Sequence, residues 1–546
     1  MRYLFTVSVL FFIILACTQK PQKQFDVIIR NGTIYDGSGT APFIGDVAIQ
    51  NDTIAAIGNR LEATGKKEID ATGLAVAPGF INMLSWADRN LLDDGRSMSD
   101  IKQGVTLEVF GEGWSPAPVK RKTKNVDSLW TTLDGYFKWI TKKGVTPNVA
   151  SFVGASSVRY YTLGNDNRNP SVQELADMKL LVRQAMEDGA MGLGTSLIYV
   201  PALYASTEEL IELSKVAAAY NGMYITHMRS ESDQILTGMN ETFRISKEAN
   251  IPVEFYHLKI NHSRNWGKID SVLNKIDSAQ KSGLKVTANM YTYIASGTGL
   301  NERIPKWVQE GGAKQMRKEL KKPAIRKRVL EEMRLGIPTK NSDPKDVMML
   351  GFRKDSLNKL YRGKRLDEVA RLHGKNADET VLDLIVKDKS RIEAIYFLIS
   401  EDNLKRMLKM PYVSFGSDAG SQKIPENASD IGAHPRTYGT FARLLGRYVR
   451  EQKLIPLEEA VRRLSALPAS NLKIKKRGSL IRGFYADITI FNPNLITDKA
   501  TFENPHQYAT GVFHVFVNGT QVLENGEHTG AKPGRAIRGP GFVSKH

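Results

Sequence analysis

Two short stretches of this chain end on histidine. Tyr224-Ile225-Thr226-His227-Met228-Arg229 is answered some thirty residues further on by Phe255-Tyr256-His257-Leu258-Lys259. Each is an apolar run rich in β-branched and aromatic residues, the texture of a buried strand in a parallel sheet. A (β/α)8 barrel carries its chemistry at the C-terminal ends of its strands. Two histidines closing successive strands would therefore face one bowl. Neutral imidazole is a good ligand for zinc and its neighbours among the divalent ions. Two core histidines bonded to backbone would give the same letters, so spacing alone leaves both readings open.

The surrounding sequence supplies strands and helices in alternation. Ser171 followed by Glu174 is a capping-box start, and apolar positions recur through Leu180, Val182 and Met186 to a stop at Gly189. Thr207-Glu208-Glu209-Leu210 opens a helix ahead of the His227 strand. A further helix precedes the His257 strand, and Tyr412-Val413-Ser414-Phe415-Gly416-Ser417-Asp418 reads as the last strand. This alternation predicts a parallel α/β barrel over residues 79–477. Residues 301–390 depart from it. They are charged and helix-rich with few buried-strand signals, and they predict a helical insertion over the barrel mouth. Both flanks, residues 25–78 and 478–538, read as short strands and turns, which predicts one small β-sandwich built from the two ends. Within the first flank, Asp26-Val27-Ile28-Ile29-Arg30 runs into Asn31-Gly32, a hairpin signal.

With 546 residues the chain is long enough for a large core and a second domain. Its net charge of +18, from 76 Lys and Arg against 58 Asp and Glu, is spread out apart from a modest cluster between residues 317 and 334. No nucleic-acid motif accompanies it, so the charge reads as a solvated face. The one cysteine is Cys17, which excludes an internal disulfide. It follows a basic start, an apolar run over residues 4–15 too short to span a membrane, and Ile14-Leu15-Ala16. The segment resembles a bacterial lipobox. Residues 1–16 are expected to be a lipoprotein signal peptide, Cys17 the lipidated residue, and residues 17–24 a polar tether holding the rest to the bacterial cell envelope. An ordinary cleaved signal or an uncleaved anchor is the alternative.

An ordered series of short motifs then resembles one family. Val76-Ala77-Pro78-Gly79-Phe80-Ile81 is similar to the entry into the amidohydrolase barrel. Gln103-Gly104-Val105-Thr106, Gly111-Glu112-Gly113-Trp114-Ser115-Pro116, Gly189-Ala190-Met191-Gly192-Leu193 and Ile198-Tyr199-Val200-Pro201 resemble its N-acyl-D-amino-acid deacylase (D-aminoacylase) branch. So do Thr226-His227-Met228-Arg229, His257-Leu258-Lys259, Gly416-Ser417-Asp418, His434-Pro435-Arg436 and Ala486-Asp487-Ile488. The likeness extends over residues 25–538 and implies the (β/α)8 barrel with a split β-sandwich.

The departures from that family are informative. Its usual Asp-x-His-x-His-x-Asp, which serves one of two metal positions, is here Asn82-Met83-Leu84-Ser85-Trp86-Ala87-Asp88. Leucine has no donor atom and indole offers only an N–H, so that position is expected to be absent or very weak. A further family histidine is Ala155. For the other position the resemblance implies that His227 and His257 bind a single zinc ion, with manganese, cobalt or iron as alternatives. The family often adds a cysteine, which this chain lacks there; Glu112 is the natural substitute, unless it is a carboxylate set against a basic neighbour. His2Glu with an open fourth position is a hydrolytic arrangement.

The activity implied is hydrolysis of the amide bond of N-acyl-D-amino acids. Asp418 matches the family's catalytic aspartate and would move the proton between water and the leaving amine. An anionic small-molecule substrate needs cationic recognition. Lys259, two residues past His257 and expected on the same strand face, and Arg436, which matches a family position near the substrate, could supply it, with Tyr199 and Tyr291 as hydrogen-bond partners. His434 beside Pro435 reads as structural, and the remaining six histidines as surface or packing residues. Two other functions stay open: an amidohydrolase acting on cyclic amides or D-residue dipeptides, and a degenerate barrel that binds acylated amino acids without turnover.

Overall fold

The computed structural model describes residues 23–120, 129–336, 342–426 and 432–544. The signal segment, Cys17 and all of the tether but its last two residues lie outside the described residues. Among the described residues no helix is long and apolar enough to cross a membrane.

Eight strands close into a barrel. In order they are Phe80–Asn82, Val105–Phe110, Asn148–Ser151 continued by Val153–Gly154, Gly192–Ser196, Met223–His227, Val253–Phe255, Val286–Met290 and Val413–Phe415. Neighbours pair in parallel throughout. The last strand meets the first where Met83 N donates to Phe415 O (3.0 Å) and Asp418 N to Leu84 O (2.9 Å). Nearly every strand residue is buried, as expected of strands covered on both faces. Outer helices include Val172–Glu187, whose capping box uses Ser171 and Glu174, and Thr207–Ala219, where the Ser206 side chain caps Glu209 N. Interior layers of Ile81, Leu107, Val109, Ile225 and Tyr256 fill the barrel, so it is a packed support and not a pore.

Both flanks contribute to one nine-stranded sheet. The join is antiparallel pairing of Ile488–Phe491 with Ala75–Pro78, over a core that includes Ile29, Val47, Val76, Ile488 and Phe516. The hairpin expected at Asn31-Gly32 is absent. The strand Gln24–Ile34 runs straight through it, with a register shift between Ile29 and Gly32. Asn31 takes a left-handed φ of 58°, and its N–H bonds Asp46 Oδ1 (3.0 Å). A Cβ on Gly32 would stand 2.4 Å from Val76 Cγ2. The dipeptide encodes a bulge that lets the neighbouring strand approach, which its letters do not distinguish from a turn.

Between the seventh and eighth barrel strands lies a unit with its own core of Leu300, Val329, Met349, Leu382 and Ile392. Helices Pro323–Arg334, Leu366–His373 and Ala377–Asp388 belong to it. So does an antiparallel sheet in the order Ser296–Gly299, Glu393–Tyr396, Val347–Gly351. The sheet is a feature that the charged, helix-rich sequence did not announce.

Candidate metal centre

The second barrel strand turns through Gly111 and Gly113, with φ of 110° and 70°. A Cβ on Gly113 would lie 1.9 Å from Ser196 Oγ, so only glycine lets the turn close. It swings Glu112 inward, where the side chain is buried. His227 is the last residue of the fifth strand, and His257 lies two residues past the sixth. The three meet: Glu112 Oε1 is 2.8 Å from His227 Nδ1 and 3.0 Å from His257 Nε2. One potential ligand atom from each lies within 4.8 Å of the others.

Two site residues hold left-handed backbones, His257 with φ 33° and Asp418 with φ 50°. Such conformations cost roughly 1–3 kcal/mol each and persist only where surroundings enforce them. For His257 the enforcement is visible. Its N–H donates to Asn289 Oδ1 (2.9 Å), and Asn289 Nδ2 in turn donates to the buried Glu254 (2.8 Å).

Lys259 reaches the centre by a different geometry from the one expected. The sixth strand has ended by Phe255, so alternation along a strand does not place it. Its ammonium instead folds back onto His257 Nδ1 (2.8 Å) and Glu231 Oε1 (2.6 Å). Glu231 is the residue sequence reasoning missed. It lies 2.9 Å from His257 Nδ1 and 3.6 Å from His227 Nε2, touching both imidazoles from behind. Nothing in Arg229-Ser230-Glu231 marks it as buried. The available signal was indirect: a buried lysine needs a nearby anion.

Across the cavity, Asp418 Oδ2 is 2.7 Å from Arg436 Nη1. The Arg436 guanidinium sits 4.7 Å from the Tyr291 ring centroid. The Tyr291 hydroxyl is buried and makes no hydrogen bond of good geometry. Tyr199 packs edge-on to His227 at 5.5 Å, and its hydroxyl is taken up by Thr298 Oγ1 (2.8 Å). His434 contacts Ala295 O through Nε2 and accepts the Arg436 N–H on Nδ1, holding the start of the helix Arg436–Arg443. Leu84 is buried core, while the Trp86 indole N–H donates to both Glu112 Oε2 (3.1 Å) and Asp418 Oδ1 (3.2 Å). Glu112, Asp418, Lys259, Arg436, Tyr199 and both histidines thus border a single cavity of about 960 Å³.

The electrostatics follow from this crowding. Burial pushes the Glu112 carboxyl up, but the His257 charge and the bonds from both imidazoles outweigh it and hold Glu112 well below the usual carboxylate range. Glu231 is likewise raised by burial and then held low by Lys259 and the two histidines. Burial and the Lys259 charge depress His257, yet Glu231 and Glu112 prevail and raise it to about 9. A divalent ion fits this donor set on two counts. The set is two imidazoles and a carboxylate, as in hydrolytic zinc sites. His227 Nδ1 and His257 Nε2 also both face the same oxygen of Glu112 (2.8 and 3.0 Å), so the three donor atoms lie together.

A closed parallel barrel with a convergent His2Glu cluster at its C-terminal rim defines a metal-centre hydrolase architecture. The chain belongs to the amidohydrolase family, whose sequence profile matches residues 67–523. It is 32% identical to a D-aminoacylase from Alcaligenes xylosoxydans xylosoxydans over 530 residues, 95% of this chain and 99% of the relative. Among solved structures it resembles a D-aminoacylase described as having a binuclear metal centre with one-metal activation and second-metal attenuation. That match has TM-score 0.78 and 30% identity, covering 94% of this chain and 100% of the other. It also resembles an N-acyl-D-glutamate deacylase from Bordetella bronchiseptica complexed with zinc and a phosphonate mimic of the tetrahedral intermediate. Here the TM-score is 0.79 at 28% identity, with coverage of 94% and 100%.

Proposed function

We propose that this protein is a metal-dependent deacylase that hydrolyses the linear amide bond of N-acyl-D-amino acids, using one ion held by Glu112, His227 and His257. The observation that carries this reading is the convergence of those three side chains within 4.8 Å in the same cavity as Asp418. Similarity to D-aminoacylase and N-acyl-D-glutamate deacylase over nearly the full chain supports the substrate class. The donor set suits zinc, with other divalent ions able to substitute. One ion suffices in this reading because Leu84 and Trp86 supply no second ligand pair, and the related D-aminoacylase is described as activated by one metal.

When bound, the ion supplies positive charge that polarises the acyl carbonyl and acidifies water. Asp418 takes a proton from the attacking water and returns it to the departing amine nitrogen. Arg436 keeps the Asp418 carboxylate aimed into the cavity. Arg436 and Lys259 form the cationic face for the substrate carboxylate, with Tyr199 closing the side next to His227. The Tyr291 hydroxyl, expected from the sequence to bond the substrate, is instead buried outside the cavity lining, with its ring against the Arg436 guanidinium. Burial raises the Tyr291 pKa well above its ordinary value, so it stays a hydrogen-bond donor. Glu231 holds His257 and His227 from behind, the outer-shell role that fixes ligand orientation.

The barrel over residues 79–477 carries the chemistry, with an insertion expected at about residues 301–390 that its sheet extends to residues 296–396. Residues 25–78 and 478–538 form the composite β-unit. Cys17, following a signal peptide over residues 1–16, would carry the lipid that holds the enzyme to the bacterial envelope through the tether at residues 17–24. The deciding experiment is metal analysis of the purified chain beside hydrolysis of a panel of N-acetyl-D- and N-acetyl-L-amino acids, with His227→Ala as control. Turnover of D-substrates that disappears with the metal in His227→Ala is expected. Full activity in that variant, or a metal-replete chain that turns over no acyl amino acid, would reject the function.

A further inference from the structure

We propose that Trp86 is a positioning residue of this centre: its indole N–H ties the carboxylate ligand Glu112 to the aspartate Asp418. The inference rests on the single-ion deacylase reading and deepens it. The ring stands between two carboxylates that follow the strands on either side of the first, Glu112 after the second and Asp418 after the eighth. Its Nε1 lies 3.1 Å from Glu112 Oε2 and 3.2 Å from Asp418 Oδ1. The backbone fixes it there, because Trp86 N donates to Ala419 O (2.9 Å) and Ser85 bridges to Ala419. The segment after the first strand, which carries Trp86, is thus laced to the loop that carries Asp418.

Three consequences follow from the atoms involved. Glu112 Oε1 faces both imidazoles, while Oε2 is engaged by the indole. Glu112 is therefore presented to a cation through a single oxygen, in a fixed plane. Asp418 is held on two sides, by Arg436 on Oδ2 and by Trp86 on Oδ1, which leaves little freedom in where its proton-accepting oxygen points. Finally, an N–H has no lone pair to offer a metal. It draws the two anions towards a common point without recruiting a second ion between them.

The test uses Trp86→Phe, which keeps an aromatic ring and deletes the N–H. Partners that orient metal ligands are typically worth 10–100-fold in affinity or activity. Chelator competition should show metal held about 10- to 100-fold more weakly than in the parent. kcat should fall by a similar factor with KM for the acyl amino acid unchanged, since the N–H touches ligand and base and not substrate. Trp86→Gln, whose amide N–H can reach the same carboxylates, should recover most of the metal affinity. Parental metal affinity and kcat in Trp86→Phe would overturn the proposal. So would a Trp86→Gln variant as weak as Trp86→Phe. Should Trp86→Phe fail to fold, Trp86→Gln decides alone: affinity within a few-fold of the parent supports the bridge, and a hundredfold loss rejects it. Parent turnover of N-acyl-D-amino acids tests the deacylase reading separately, so the two can fail independently.

Discussion

Metal binding at this centre should release a proton, and its affinity should climb steeply with pH. Imidazole ligates a metal only when neutral. Between Glu231 and Glu112, the metal-free His257 holds its proton up to about pH 9. The sign is as follows. Folding raises this histidine's pKa above its ordinary value of about 6.5. Its contribution to the stability of the metal-free protein is therefore fully present below about pH 6.5 and fades as pH rises through about 9. Metal binding runs the other way, because the ion must displace that proton. At pH 7 the displacement spans about two pKa units, or roughly 3 kcal/mol. Apparent affinity should therefore lie about a hundredfold below its plateau above pH 9. It should rise about tenfold per pH unit between pH 6.5 and 8.5. Glu112 and Glu231 are held low and are already ionised, so neither adds to the slope there. Titration calorimetry of the metal-stripped protein at pH 7, repeated in buffers of different ionisation enthalpy, counts the released protons directly. About one per ion is expected. Affinity flat between pH 6.5 and 8.5, with no buffer dependence of the heat, would refute the reasoning.

Two further perturbations act on the scaffold behind the ligands. Asn289→Ala removes the acceptor that pins the His257 N–H and the donor to Glu254 Oε1, leaving Thr287 and Asn471 on Oε2. Leaving buried groups unpaired costs ~1–3 kcal/mol each, so urea unfolding should shift by several kcal/mol and metal should be held more weakly. A midpoint within error of the parent would contradict the role given to this bond. Gly113→Ala places a methyl 1.9 Å from Ser196 Oγ at a φ of 70°. Metal content per purified chain should fall sharply while the far-ultraviolet dichroism stays that of the parent, and a full metal complement would show that the turn is more tolerant than the geometry says.

The parts of this site legible in the sequence are those written in local order. His227 and His257 could be found because each closes an apolar run, and the barrel then dictates where such ends go. Glu112 could be found because the chain lacks the cysteine that the resembled family often has there, and a carboxylate flanked by two glycines at a strand end is its natural substitute. Glu231 was hidden, because its burial depends on Lys259 reaching back from another loop. Trp86 was legible as a lost metal ligand. Its bridging N–H was not, because Asp418 comes more than three hundred residues later and only barrel closure brings them together. Asn31-Gly32 failed for a related reason. A left-handed asparagine before glycine serves a hairpin or a bulge equally, and the choice is made by Val76 on a neighbouring strand. In the insertion, Ser296–Gly299 carries no apolar alternation at all, and its strand state comes entirely from pairing with Glu393–Tyr396.

The charges of the centre explain why a metal and an anionic substrate belong together here. Without an ion, the carboxylates of Glu112 and Glu231 are matched by the Lys259 ammonium and the protonated His257, and Asp418 is matched by Arg436. The buried cluster is then neutral and stable but has nothing to offer an anion. Exchanging the His257 proton for a divalent ion would leave one positive charge in excess among buried groups, where an unbalanced charge is costly. A substrate carboxylate near Arg436, or negative charge developing on the acyl oxygen, restores the balance. The same imbalance that makes the metal-loaded centre receptive to an anion favours the transition state over the neutral amide. Glu231 matters to that balance as much as any ligand. With glutamine in its place the loaded centre would carry a second uncompensated charge, and metal affinity, not substrate binding, should suffer first.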